Sequence, residues 1–207
     1  MISLFIDTSA SDVSIALHKN EKVLNEINKN IPNQHSIYVV PFIDELLKKS
    51  SITPDMIEKI YVVTGPGSFT GVRIGVTIAK TYAYLKKIPI TAVSSLKMLA
   101  LSKEGETILS LIDAKHNNYY LGSYNKEKKE IIKEHFGNKE EVLKIIEKHH
   151  PVIVSNEEIN NEEIKTSKQT LDISKIISYY QNEQEDNYFT IKPNYLKLPQ
   201  ALEDRHD

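Results

Sequence analysis

Two aspartates, Asp7 and Asp113, close apolar strand-like runs, Ile2–Ile6 and Thr107–Ile112. If both strand ends face one cleft, the pair could hold a magnesium-nucleotide, because magnesium takes few carboxylates and keeps its waters. A plainer account makes Asp7 the cap of the turn through Thr8 and Ser9, with Asp113 in a strand-to-strand turn. The other candidate is Gly65-Pro66-Gly67-Ser68-Phe69-Thr70-Gly71, set between the apolar run Ile60–Val63 and helix-favouring sequence that starts at about Ser68 or Thr70 and runs on to Lys87. Such a loop can offer backbone N–H groups to an anion at a helix N-terminus. It is neither of the two common phosphate loops. Gly71 is followed by Val72 and Arg73 where a P-loop needs lysine and a hydroxyl, and Thr70 stands where the dinucleotide fingerprint needs its third glycine. Glycines that admit positive φ and close packing are the simpler account.

Other chemistry is sparse. The histidines His18, His35, His116, His135, His149, His150 and His206 form no i, i+4 pair and have no companion acid at motif spacing, so no metal site is expected. Ser68 lies outside the G-x-S-x-G spacing of a nucleophile elbow, and cysteine is absent, which removes disulfides and thiolate chemistry. No catalytic residue is expected.

Three strands open the chain: Ile2–Ile6, then a hairpin of Val13–Leu17 and Val23–Ile27. A helix over Ser36–Lys49, a helix start at Thr53-Pro54-Asp55, the strand-loop-helix around the glycines, a strand over Pro89–Val93 and a helix Ser95–Leu101 capped by Ser94 complete the first 102 residues. After Ser102–Glu106 the second half opens in the same way. A strand ending in Asp113 precedes a hairpin of Asn118–Tyr124 and Glu130–Phe136, a helix Lys139–Lys148 and a strand Val152–Val154. Asn156–Gln169 reads as a charged surface loop, Leu171–Tyr180 as a last helix and Pro193–Pro199 as an extended, wrapping tail. The repeated opening points to an internal duplication, shortened in the second copy.

The helix after the glycines carries two apolar stripes, Val72, Val76, Ala79 and Ala83 against Ile74, Ile78 and Leu85, with Arg73, Thr77, Lys80 and Tyr84 as a narrow polar strip. One contact surface needs one stripe, so burial on two sides is expected. The helix from Ser36 is likewise over-supplied with apolar residues.

The chain of 207 residues is 40% hydrophobic and carries a formal charge of −2, enough apolar content for a core and too little positive charge to grip nucleic acid unaided. Its first residues carry no basic leader, which argues against a signal peptide, and no apolar run approaches the length of a membrane span.

Phe5-Ile6-Asp7-Thr8-Ser9, His35-Ser36, the stretch from Gly65 to Gly75, Ala79-Lys80, Val93-Ser94-Ser95-Leu96, Ile112-Asp113-Ala114-Lys115 and the Pro193-Asn194-Tyr195-Leu196 tail together resemble the TsaB (YeaZ) family. The resemblance implies an α/β actin-like ATPase (ribonuclease H-like) fold of two related mixed-sheet domains, 1–102 and a reduced 103–207. It implies a non-catalytic, cytoplasmic scaffold subunit in tRNA threonylcarbamoyladenosine formation that binds and activates a TsaD-type catalytic subunit. A TsaE-type ATPase joins, the chain pairs with itself when alone, tRNA is reached only through the complex, and no cofactor is required. Asp7, Thr8, Ser9 and Asp113 would then be a vestigial nucleotide site. Lys115 stands where active actin-like ATPases carry a glycine, and Ser94–Ala100 lacks the histidine pair of the catalytic relatives. An active ATPase or small-molecule kinase is the competing expectation. For the partner interface the outward stripe is expected to be Val39, Phe42, Leu46, Val72, Gly75, Val76 and Ala79, packed against the equivalent helices of the partner or of a second copy.

Overall fold

Strand β1 (Ile2–Asp7) is buried along its whole length, as a strand covered on both faces should be. In this computed structural model, which describes residues 1–20, 22–160, 162–183 and 185–197, β1 pairs antiparallel with β2 (Asp12–Lys19) and parallel with β4 (Lys59–Gly65). The edge strand β3 (Lys22–Asn30) and the parallel β5 (Ile90–Ser94) complete a five-stranded sheet of order β3-β2-β1-β4-β5. The second sheet, β8-β7-β6-β9, repeats this arrangement one strand short, with β6 (Thr107–Asp113), β7 (Asn118–Asn125), β8 (Glu130–Asn138) and β9 (Val152–Ser155). The expected duplication is therefore visible in the strand order itself.

Alternation along β1 and β4 sends Leu4, Ile6, Ile60 and Val62 to one face, where α1 (His35–Lys49) and α2 (Phe69–Lys86) pack. Phe5, Tyr61 and Val63 go to the other, covered by α3 (Ser95–Leu101) and α5 (Ile173–Tyr180). The helix buried on two sides is α3: Met98 and Leu101 face the first sheet, whereas Leu96, Leu99 and Ala100 join Ile108, Ile112 and Tyr124 of the second. On its other face the second sheet is covered by α4 (Lys139–His149).

The stripe expected to face a partner is instead turned inward. Val39, Leu46, Val72, Val76 and Ala79 are buried in the first core beside Gly75, and Phe42 is half-buried against it. The reason is size: Gly71, Gly75, Ala79 and Ala83 let the α2 backbone come close to the sheet, which a stripe of Ile74, Ile78 and Leu85 would forbid. Ile37, Val40 and Leu85 are left 62%, 56% and 69% exposed.

The expected loop Asn156–Gln169 contains a small hairpin, β10 (Ile159–Asn160) with β11 (Lys165–Thr166), and Ile159 and Ile164 are buried in the second core. After α5 the chain returns to the first sheet. Asp186 donates its N–H to Ile90 O at 2.8 Å and accepts from Ala92 N at 2.6 Å, and Asn194 N donates to Thr64 O at 2.7 Å. Between these points the segment runs antiparallel along the polar strip of α2. Lys80 Nζ donates to Ile191 O at 3.0 Å, Tyr84 meets Tyr188 and Phe189, and Arg73 Nε donates to the Tyr195 hydroxyl at 2.7 Å. Leu198 and Pro199 of the expected tail, and His206, lie outside the described residues.

His135 ties β8 to α4: one ring nitrogen faces Lys133 O at 2.7 Å and the other faces Glu141 Oε1 at 2.8 Å. Two acceptors require two N–H donors, so both bonds form only with the imidazolium. Burial alone would lower the His135 pKa, but these acceptors outweigh it and raise it above 6.5. The contribution to stability is then fully present below the unfolded value near 6.5 and is lost as pH rises through the folded one. Thermal unfolding of the wild type and of His135→Asn should differ more at pH 6 than at pH 9, and a gap unchanged with pH would refute the charged assignment.

Candidate functional site: the cleft between the two sheets

The ends of β1 and β6 meet at a cleft of about 370 Å³, lined among others by Ser9, Gly67, Ser68, Asp113, Lys115 and Glu157. Asp7 does not line it. Its side chain is buried, and Oδ1 accepts from Ser9 N at 2.8 Å, the turn-capping role. Burial pushes its pKa up, against the bonds from Ser9.

Thr8 and Ser9 are engaged by the glycine loop. Thr8 Oγ1 donates to Gly71 O at 2.7 Å, and Ser68 N donates to Ser9 O at 2.7 Å. A Cβ on Gly67 would stand 2.3 Å from Ser9 O, one on Gly71 2.1 Å from Thr8 O and one on Gly75 2.3 Å from Thr8 Oγ1. The close backbone approach signalled by glycines one turn apart is therefore made by the chain's own β1 end. The amides of Ser68, Gly71 and Val72 are bonded to Ser9 O, Ser68 Oγ and Ser68 O, so these donors are not offered to an anion.

Asp113 is also engaged. Its Oδ1 accepts from Lys115 N at 2.8 Å, and its Oδ2 pairs with Lys115 Nζ at 2.9 Å. The aspartate bond raises the Lys115 pKa. Lys115, His116 and Asn117 all adopt positive φ, 67°, 54° and 60°, which folds the lysine back over the aspartate. Among the described residues no group of three or more His, Cys, Asp or Glu is placed to hold a metal.

Bonds between the sheets flank the cleft. On one side Ser11 Oγ donates to Glu157 Oε1 at 2.9 Å, and Lys168 pairs with Asp12. Burial opposes ionisation of Asp12, and its bonds to Lys168 and Asn30 prevail, lowering its pKa. Elsewhere between the sheets Glu134 of β8 accepts from Ser94 Oγ at 2.5 Å, and within its own sheet it accepts from the Tyr124 hydroxyl at 2.6 Å. Sequence reasoning missed all of these, because no spacing links residues so far apart.

The family model described as TsaD, tRNA N6-adenosine threonylcarbamoyltransferase, matches residues 23–188. The tRNA threonylcarbamoyladenosine biosynthesis protein TsaB of Bacillus subtilis is 41% identical over 126 residues, 60% of this chain and 55% of that protein. Its Escherichia coli counterpart is 34% identical over 132 residues, 62% of this chain and 57% of the other. The chain thus spans little more than half the length of these relatives. YeaZ from Pseudomonas aeruginosa superposes with a TM-score of 0.78 at 22% identity, over 94% of this chain and 99% of that one. Two mixed sheets of repeated order, the second reduced, form the actin-like, ribonuclease H-like fold. By its fold, its glycine loop and these matches, the chain belongs to the TsaB (YeaZ) family.

Proposed function

We propose that the chain is a non-catalytic scaffold subunit in tRNA threonylcarbamoyladenosine biosynthesis, which docks a TsaD-type catalytic subunit through the outward face of α1 and α2 and activates it. The observation that carries this is where apolar surface is exposed. Nine of the thirteen exposed large hydrophobics among the described residues lie on α1, α2, the Pro54–Met56 turn and the segment along α2. A concentration of this kind marks an interaction surface. The match to the TsaD model implies that a TsaD-type partner has the same pair of helices, so two such faces can meet about a pseudo-two-fold axis, and two copies of this chain can meet in the same way when alone.

The engagement of Asp7, Ser9 and Asp113 within the chain supports the non-catalytic reading and leaves that site vestigial. A TsaE-type ATPase and tRNA are met in the assembled complex, in the cytoplasm. No helix among the described residues is long and apolar enough to cross a membrane. Division at 102–103 leaves α5 and the segment to Leu196 as an arm by which the second unit holds the first.

The test is reconstitution. The purified chain should leave tRNA unmodified, and adding it to a TsaD-type subunit and TsaE-type ATPase supplied with ATP and a preformed, activated threonylcarbamoyl donor should restore modification. Modification by the chain alone would overturn the scaffold reading, as would failure to bind the TsaD-type subunit.

A further inference from the structure

A second cavity, about 300 Å³, adjoins the cleft and shares Gly67, Ala114 and Tyr120 with it. Its volume is at the lower end of small-ligand pockets. Pro66, Phe69, Tyr120, Tyr195, Asn194 and Lys197 contribute to its walls, and among the described residues no carboxylate does. Phe69 and Tyr195 are 39% and 40% exposed, with ring centroids 5.2 Å apart. Beside them Arg73, the only arginine among the described residues, lays its guanidinium 3.7 Å over the Phe69 ring and is held through Nε by Tyr195. It makes no ion pair among the described residues, and the bond to Tyr195 uses one donor of five.

The neighbouring cleft has the opposite character. Asp113 and Glu157 line it, and its lysine, Lys115, is paired with Asp113. An anion therefore finds its unmatched cation at Arg73. Flat aromatic walls next to a fixed, planar cation are what a single-stranded nucleotide requires: the base stacks on rings and the phosphate takes the guanidinium fork.

We propose that this cavity takes one unpaired nucleotide of an RNA strand, the base stacked against the cavity faces of Phe69, Tyr195 and Tyr120 and its phosphate on the terminal nitrogens of Arg73 at the cavity's edge. The formal charge of −2 makes this a weak local contact in the isolated chain. The ligand class follows from these side chains alone, so the site goes beyond the scaffold reading and stands without it.

The test is a titration of the isolated chain, with ring and amide resonances followed by NMR, using the tetraribonucleotide rAAAA, inorganic phosphate and a tetraglutamate peptide. With rAAAA the Phe69, Tyr195 and Tyr120 rings should shift together while the Ser9 and Asp113 amides stay. Arg73→Lys keeps the charge but loses the planar fork and should weaken the effect several-fold at an unchanged salt slope, whereas Arg73→Gln should weaken it about tenfold and lower the slope by about 0.7, as expected for one phosphate contact on a single strand. Arg73→Glu should abolish it. The Tyr84–Phe189 ring contact reports whether the segment along α2 stays docked in each variant, and if Arg73→Glu releases it, Arg73→Lys decides. Rings unmoved by rAAAA, unchanged affinity in the variants, or an equal response to phosphate or tetraglutamate would overturn the proposal, the last assigning Arg73 to a protein carboxylate. A wild-type chain that never binds a TsaD-type subunit would sink the scaffold reading and leave this result standing.

Discussion

Gly71→Ala is expected to cost about 3–5 kcal/mol of a total stability of about 5–15 kcal/mol. The added Cβ would stand 2.1 Å from Thr8 O, a backbone atom that cannot rotate away. Relief requires α2 to draw back from β1, which breaks the 2.7 Å bond from Thr8 Oγ1 to Gly71 O and opens the packing of Val72 and Val76. Gly75→Ala should cost less, since its Cβ meets the Thr8 hydroxyl, which can turn. Ser68→Ala removes the cap on Gly71 N and sets the scale at about 1 kcal/mol. Urea unfolding of the three variants should give that order, and a Gly71→Ala protein within 1 kcal/mol of wild type would show that β1 and α2 are not so interlocked.

Val76→Arg separates core from interface. Val76 is 3% exposed and packs in the first core, so an arginine there buries an unpaired charge at a cost of about 3–5 kcal/mol and should leave the chain unfolded or nearly so. Val40→Arg and Leu85→Arg, at the exposed stripe, should change stability by no more than about 0.5 kcal/mol. Buried in a partner contact, each should weaken binding of the TsaD-type subunit about 30-fold or more. Circular dichroism and a binding titration distinguish the cases. Val76→Arg folded but unable to bind would return the interface to the stripe first expected from sequence, and Val40→Arg binding normally would move it off these helices.

Much of the scaffold can be read in the sequence because it is local. Ser94 caps α3 through Lys97 N, Ser68 caps α2, and the run ending at Asp113 is a strand, as their types and spacing predict. Orientation of the α2 stripes is less evident, since both are apolar. The available signal is side-chain volume, with Gly71, Gly75, Ala79 and Ala83 marking the side that must come close. The polar strip of Arg73, Lys80 and Tyr84 is visible in the sequence, but nothing there shows that residues 188–195 attach to it. Such attachments, like the bonds of Glu134 to Ser94 and of Ser11 to Glu157, join residues far apart in sequence, and no periodicity encodes them. Of the candidate site, the position of Asp113 beside Lys115 is legible, whereas the removal of Asp7 from the cleft follows from burial.

The attachments of Asp186 to β5 and of Asn194 to β4 also set an order of events during synthesis. The first sheet is encoded by residue 94, but α5, Ile191 and Asn194 complete its covering about 80–100 residues later, a delay on the order of 5–20 s at ribosomal speed. Throughout that interval Tyr61 and the polar strip of α2 lack their final cover. The nascent first half is expected to remain open to chaperones and to proteolysis until the second half has been translated.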